Sequence, residues 1–241
     1  MSVTIFFLAI VGAIAGWWLS HQRLTAKPWL EAGAIDDFPA TGASLQPAAK
    51  IGLGVFLAVV GSLFALLISA YLMRMNMASM EQGDINLGDW RPLPVPKLLW
   101  LNTGVLIASS AALQWAWVSA RRRETGRLRA GLYLGGLCAL VFLGGQLLAW
   151  RQLSAAGYFL SADATAAFFY LLTGVHGLHV LGGLVALGRT ITKSWRGIGV
   201  EKLRLSVQLC AIYWHFLLLV WIILFGLLWL GASNLLCRTV S

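Results

Sequence analysis

The stretch at residues 168–188, FFYLLTGVHGLHVLGGLVALG, constrains the fold of this chain more than any other. It is apolar over a length that can cross a membrane, because about 20 residues at 1.5 Å each span a hydrocarbon core of roughly 30 Å. Near its middle lie His176 and His179. Imidazole nitrogens are costly in lipid unless they are paired, so this helix is expected to face other protein there. Its natural partner is the last apolar run, which contains Tyr-Trp-His-Phe at residues 213–216.

Long apolar runs continue through the rest of the 241-residue chain, which is 59% hydrophobic and 11% charged. A soluble domain of this size cannot bury that much apolar surface, so the composition indicates a polytopic helical membrane protein. We predict an all-α fold, a membrane helical bundle of six transmembrane helices that forms a single domain. The six predicted spans are residues 3–19, 51–73, 98–118, 130–150, 165–188 and 207–230. Residues 1–50 are predicted to form an N-terminal anchor helix and an inside loop, and residues 51–232 a five-helix core.

Basic residues set the predicted orientation of these spans. The loops at 20–50, 119–129 and 189–206 hold all of the 18 Lys and Arg residues except Arg74, Arg91, Lys97, Arg151 and Arg238. Because Lys and Arg accumulate in cytoplasmic loops, these three loops are predicted to face inside and both termini outside. Membrane topology thus explains the net charge of +9, and no nucleic-acid partner is expected.

Ionisable groups are scarce within the predicted spans. The acidic residues number nine and all fall in loops or at span edges, which disfavours a proton pump or a cation-coupled transporter. The three cysteines form no C-x-x-C pair, so a disulfide framework or a thiolate metal site is not indicated. One hypothesis is that His176, His179 and His215 ligate a haem or a metal, since neutral imidazole is a good ligand. The alternative, favoured by the lack of nearby carboxylates and thiolates, is that the imidazoles hydrogen-bond across helices and fix their packing.

Small and aromatic residues on the same two spans have a packing interpretation. Gly174 and Gly177 add little bulk to their helix face, so they are expected to let a neighbouring helix approach closely. An aromatic stripe on the last span consists of Trp214, Leu218, Trp221 and Phe225. This stripe is predicted to be a packing face or a lipid-facing surface.

At these two spans the chain resembles subunit III of the haem–copper respiratory oxidases, the cytochrome c oxidase family. Residues 173–180 read TGVHGLHV, which looks like the T-G-F-H-G-L-H-V signature of that family. Residues 213–216 with Val220-Trp221 match its Y-W-H-F-V-D-V-V-W element. The resemblance extends over roughly residues 53–230, so it covers most of the chain. It implies an accessory subunit without redox centres, which packs on the catalytic subunit.

The chain departs from the family pattern at every carboxylate that the family places in the membrane. A Ser-Glu pair of the family reads Val59-Val60, and the acid of its F-x-x-x-Q-x-x-E element reads Ala149. The acid before Y-W-H-F reads Gln208, and the following aspartate reads Leu218. These losses argue against a direct role as a proton antenna. They leave scaffolding and lipid binding intact, because those roles need shape and apolar surface.

The resemblance also implies where the chain works and what it contacts. It places the chain in a bacterial inner (plasma) membrane beside catalytic subunit I and subunit II, which carry the haem and copper, with cytochrome c as electron donor to the complex. The chain itself is expected to carry no cofactor, to hold structural phospholipid and to support turnover stability. Alternatives are subunit III of a quinol oxidase or an accessory subunit of nitric oxide reductase. A free-standing transporter or a haem-binding membrane protein is the alternative from another class.

Two sets of residues carry these expectations. Helix packing and the subunit interface are assigned to Asn102, Gln146, Gly174, His176, Gly177, His179, Gly183, Gln208, Tyr213, Trp214, His215 and Trp221. Lipid contact is assigned to Arg204, Trp214, Trp221 and Phe225.

Overall fold

The computed structural model describes residues 45–80, 97–159, 164–196 and 200–239. They form α1 (Leu45–Met80), α2 (Leu98–Arg121), α3 (Thr125–Ala155), α4 (Ala164–Trp195) and α5 (Val200–Thr239). Each of the five helices contains a stretch that is long and apolar enough to cross a membrane. The five-helix core is therefore present, whereas the predicted anchor helix at residues 3–19 lies outside the described residues.

The helices run past the ends of the predicted spans. The fifth span was expected to end at residue 188, yet α4 continues to Trp195, and α5 begins at Val200 instead of residue 207. Hydropathy detects only the part of a helix that lies in hydrocarbon. Backbone hydrogen bonding within a helix continues through the polar flanks, which carry exposed basic side chains such as Arg189 and Lys193.

Four of the helices form a closed ring. α2 packs against α3 and α5, and α4 packs against the same two helices from the opposite side. The turn between α2 and α3 is short: Arg123 adopts a φ of 60°, and the backbone N–H of Glu124 donates to Ser119 O at 3.0 Å. Such short connections make consecutive helices antiparallel.

The buried positions of the ring repeat at alternating spacings of three and four residues. On α3 the series is Leu128, Leu132, Gly135, Ala139, Phe142, Gln146, Ala149 and Leu153. On α4 it is Ala166, Phe169, Thr173, His176, Val180, Gly183, Leu187, Thr190 and Ser194. A seven-residue repeat of this kind is the pattern of helices that cross at about 20° with interlocking side chains. Gln146 and His176 thus occupy core positions of this seam, although both are polar.

α1 contacts α4 and α5 through aromatic side chains. The ring of Phe64 lies 5.4 Å from that of His179, and Tyr71 meets Phe168 edge-on at 5.7 Å. A third contact joins Phe56 to Tyr213 of α5, with ring centroids 6.1 Å apart.

Candidate functional site

The contact between α4 and α5 is centred on Gly183. A Cβ atom at this position would lie 2.8 Å from ring atoms of both Tyr213 and Trp214, so only glycine fits without movement of the neighbours. The Tyr213 hydroxyl donates to the backbone carbonyl of His179 at 2.9 Å. The two helices that the sequence paired are therefore in direct contact, and the bond reaches the backbone of the histidine, not its ring.

Trp214 connects three helices through one serine. Its indole N–H donates to Ser109 Oγ at 2.9 Å, and the Ser109 hydroxyl donates to the carbonyl of Gly135 at 2.7 Å. All three groups are buried, so water does not compete for these bonds. The two bonds tie α5 to α2 and α2 to α3 inside the bundle.

Trp221, two turns further along α5, makes a similar bond to a hydroxyl of α2. Its indole N–H donates to Thr103 Oγ1 at 3.0 Å, and the hydroxyl of Thr103 donates to the Leu99 carbonyl at 2.8 Å. Phe225, one turn further on, packs edge-on against Trp100 with centroids 4.8 Å apart.

The assignment of these aromatic residues to lipid contact is wrong. Trp214 and Trp221 have no exposed surface and Phe225 is 6% exposed. The reason is that their side of α5 packs against α2 and α3. Of that set only Arg204 is exposed, near the start of α5, and its contact with lipid headgroups stays a prediction.

His215 lies on the α2 side of α5 and uses both ring nitrogens. Nδ1 is 2.6 Å from Ser110 Oγ, and Nε2 is 3.0 Å from Gln114 Oε1. Because an amide oxygen only accepts, Nε2 carries the proton and donates to Gln114, while Nδ1 accepts from the Ser110 hydroxyl. This neutral imidazole therefore joins α5 to α2 by two hydrogen bonds.

The expectation that the other two histidines hydrogen-bond across helices is wrong. His176 is completely buried, and its nitrogens have no partner within the described residues. It sits at a core position, where its ring meets Trp221 at 5.1 Å and Phe142 at 5.8 Å. His179 is at the edge of the seam and bonds through Nδ1 to the Val175 carbonyl of its own helix at 2.8 Å.

The haem or metal hypothesis finds no support in this geometry. The nitrogens of His215 are engaged with a serine and a glutamine of α2, and one nitrogen of His179 is held by the backbone. His176 is enclosed by aromatic rings, which a ligand would have to displace. Among the described residues no three His, Cys, Asp or Glu side chains are grouped so that they could hold a metal.

Asn102 and Gln146 are buried amides at the contact between α2 and α3. The Asn102 amide donates to the Phe142 carbonyl at 3.1 Å, and a Cβ at Gly145 would collide with that amide. The amide atoms of Gln146 have no partner within the described part of the chain. Gln208, also expected at an interface, is only half-buried on α5.

The remaining predicted positions lie in ordinary contacts or at buried sites. Gly174 and Gly177 face α3, where a Cβ would lie 3.5 Å from Trp150 and 3.7 Å from Leu143, so neither glycine is required for space. Of the positions where the resemblance implies acids, Val60 and Ala149 are buried and Leu218 is half-buried.

The structure adds close contacts that the sequence interpretation missed. At Gly131 a Cβ would lie 2.8 Å from the Ala116 Cβ, and at Gly135 it would lie 2.8 Å from Leu113. The G-x-x-x-G spacing of these two glycines is a known signal for close helix packing and could have revealed the α2–α3 contact. A further bond, from the Trp150 indole to Thr173 Oγ1 at 3.1 Å, joins α3 to α4.

A groove of about 820 Å³ lies between α3 and α4 at the C-terminal end of α3. Most of its wall is apolar, and Arg151 and Ser154 are the polar residues beside it. The lining residues are Gly144, Leu147, Leu148, Trp150, Arg151, Ser154, Phe159, Tyr170 and Leu171.

Comparison with known proteins supplies the family of this bundle. Residues 40–232 match the family described as Cytochrome c oxidase subunit III. A protein of Thermostichus vulcanus named Cytochrome c oxidase subunit 3 is 34% identical over 75% of this chain and 86% of its own length. One of Synechocystis with the same name is 29% identical over 74% of each chain. The Cytochrome bo(3) ubiquinol oxidase subunit 3 of Pseudomonas aeruginosa is 30% identical over 55% of this chain and 64% of its own length.

The family match covers α1 to α4 and α5 as far as residue 232, and so includes the seam between α4 and α5. The chain belongs to the cytochrome c oxidase subunit III family, as a multi-pass membrane protein and a subunit of an oxidase complex.

Proposed function

We propose that this chain is an accessory subunit, without redox centres of its own, of a bacterial proton-pumping terminal oxidase. It packs on the haem- and copper-bearing catalytic subunit, binds phospholipid, and keeps the complex stable during aerobic turnover. Cytochrome c is the proposed electron donor to the complex. The observation that carries this proposal is the use of the intramembrane polar groups for packing: Ser109, Thr103 and Ser110 all bond across helices.

The described spans contain no carboxylate, and this bears on proton delivery. Proton relays in membranes rely on ionisable side chains within the bundle. Val60 and Ala149 stand at buried positions where the family resemblance places acids, and neither can carry a proton. The proposed contribution of this subunit is therefore structural support of the catalytic subunit.

The groove beside Arg151 supports the phospholipid part of the proposal. Leu147, Leu148 and Leu171 offer an apolar wall for an acyl chain, and Arg151 lies at the end of α3, where a headgroup phosphate would sit. Replacing Arg151 with Gln should lower the amount of anionic phospholipid that co-purifies with the complex, as measured by lipid mass spectrometry. An unchanged lipid content would assign lipid binding elsewhere.

A quinol oxidase is the second candidate for the complex, because the Pseudomonas aeruginosa relative is named as a ubiquinol oxidase subunit. One experiment decides between the two. The intact complex is purified from native membranes through a tag on this chain, its subunits are identified, and oxygen uptake is measured with reduced cytochrome c and with a quinol. Uptake with cytochrome c supports the proposal, and uptake with quinol alone supports the alternative. A preparation without any haem-bearing subunit would refute both.

A further inference from the structure

The cluster of Ser110, Gln114 and His215 lies on the outer surface of the bundle at membrane depth. His215 is exposed, although it stands roughly 18 Å from the Leu203 end and about 22 Å from the Leu230 end of its apolar span, at 1.5 Å per residue. Polar and ionisable side chains in membrane helices nearly always face protein or a water-filled cavity. An exposed imidazole at this depth therefore marks a surface that other protein covers.

Within the cluster the hydrogen-bonding groups are paired with one another, except the amide nitrogen of Gln114. His215 uses both nitrogens, toward Ser110 and Gln114, and Gln114 uses its oxygen to accept from the imidazole. The amide nitrogen of Gln114 carries two further N–H donors, which make no hydrogen bond among the described residues. Lipid tails offer no acceptor for these donors, so they are expected to find one on a neighbouring protein.

The surface around the cluster fits a helix. Ala111 is one turn before Gln114 on α2 and is exposed, and a Cβ on Gly104, two turns further back, would meet no atom within 4 Å. On α5 the neighbour of His215 is the exposed Leu219. Small residues beside a polar group let a partner backbone approach closely enough to accept a hydrogen bond. We name this surface, Gly104, Ala111, Gln114, His215 and Leu219, the His215 face.

We propose that the His215 face is the docking surface for a transmembrane helix of the haem-bearing catalytic subunit, which presents a hydrogen-bond acceptor to the Gln114 amide. This inference rests on the proposed function and names the surface through which that function acts. A second copy of the chain is the alternative occupant, because the Gln114 amides of two copies can pair with each other. The relatives are themselves named as subunits of oxidases, so a partner of another kind is expected.

The test places the same bulky residue on two exposed faces. Ala111→Trp blocks the His215 face, and Ala186→Trp places an indole on the exposed side of α4 as the matched control. The complex is purified through a tag on this chain, and the haem-bearing subunit recovered per tagged chain is measured. Wild type and Ala186→Trp should recover equal amounts, whereas Ala111→Trp should recover at least tenfold less. Equal recovery with Ala111→Trp, or a loss with Ala186→Trp, would overturn the proposal.

A second measurement does not depend on how Ala111→Trp folds. A photo-crosslinking amino acid replaces the exposed Ile107 on α2, one turn from Ala111, in otherwise unaltered complex. A crosslink to the haem-bearing subunit supports the proposal. A crosslink to a second copy of this chain, or to lipid alone, overturns it. If the wild-type preparation contains no haem-bearing subunit, the proposed function itself fails, and the two failures are thereby distinguished.

Discussion

At the scale of single residues, polar side chains in this bundle differ in whether they are paired. His215 and Trp214 are fixed by hydrogen bonds to α2, whereas His176 is surrounded by rings and makes no bond within the described part of the chain. An unpaired buried polar group reduces stability, and its replacement by an apolar group of similar shape is often neutral or stabilising. The three intramembrane histidines are thus expected to respond differently to substitution.

We predict that His176→Leu leaves the free energy of unfolding unchanged or raises it by up to about 1 kcal/mol. His215→Leu removes two interhelical hydrogen bonds and should lower it by about 1–2 kcal/mol. Denaturant unfolding of the purified chain in detergent, followed by tryptophan fluorescence, measures both. A large loss in His176→Leu would mean that this imidazole bonds to an internal water molecule.

Two adjacent glycines provide a test of packing at α4. Gly183→Ala introduces a methyl group 2.8 Å from the rings of Trp214 and Tyr213 and should cost about 1–3 kcal/mol through overpacking. Gly182→Ala meets no atom within 4 Å, so it should be neutral or stabilise by up to about 1 kcal/mol through helix propensity. Thermal unfolding of the two variants gives the comparison, and equal effects would contradict the geometry of the α4–α5 contact.

At the scale of helices, the α2–α3 contact depends on Gly145. The Asn102 amide lies where a side chain at this position would stand. Gly145→Ala should displace this amide and break its bond to the Phe142 carbonyl, whereas Gly144→Ala meets no neighbour. Adding Asn102→Ala removes the obstruction, so a double-mutant cycle should show a coupling of about 1 kcal/mol or more. Additive effects of the two substitutions would show that they do not meet.

α1 packs on the ring through aromatic contacts, and among the described residues Phe64 lies 5.4 Å from His179 between ring centroids. Phe64→Ala should speed hydrogen exchange of the α1 amides while those of α2 and α5 stay protected, because local opening follows the loss of buried contacts. Leu63→Ala, at an exposed neighbouring position, is the control. A uniform change across all helices would indicate that α1 folds as part of the ring.

The positions of the five helices follow from the sequence, because runs of about 20 apolar residues have few alternatives to a membrane span. The direct contact of α4 with α5 was also predicted from the two histidine-bearing stretches. The partner of His215 was not, since helical periodicity defines a face of one helix and leaves open which helix covers it. The same limit explains why Gly182 and Gly183 cannot be ranked from sequence: they differ only in the rings that tertiary packing brings to one of them.

At the scale of the whole molecule, the structure describes a ring of four helices and a fifth helix attached through aromatic contacts. The interior of the ring is closed by apolar layers and by hydrogen bonds that involve Ser109, Thr103 and Asn102. Beside His215 at the surface, the Gln114 amide nitrogen makes no hydrogen bond among the described residues. The family of the chain identifies it as a subunit of an oxidase, and we propose that it contributes packing to that assembly.

Comparison of the purified oxidase with and without this chain tests most directly whether the chain carries a redox centre. Haem and copper per catalytic subunit are measured by spectroscopy and metal analysis, and the rate of inactivation is followed during continuous turnover. We predict an unchanged haem and copper content and faster inactivation when the chain is absent. Loss of a haem or a metal in proportion to the missing chain would contradict the central claim that this subunit carries no redox centre.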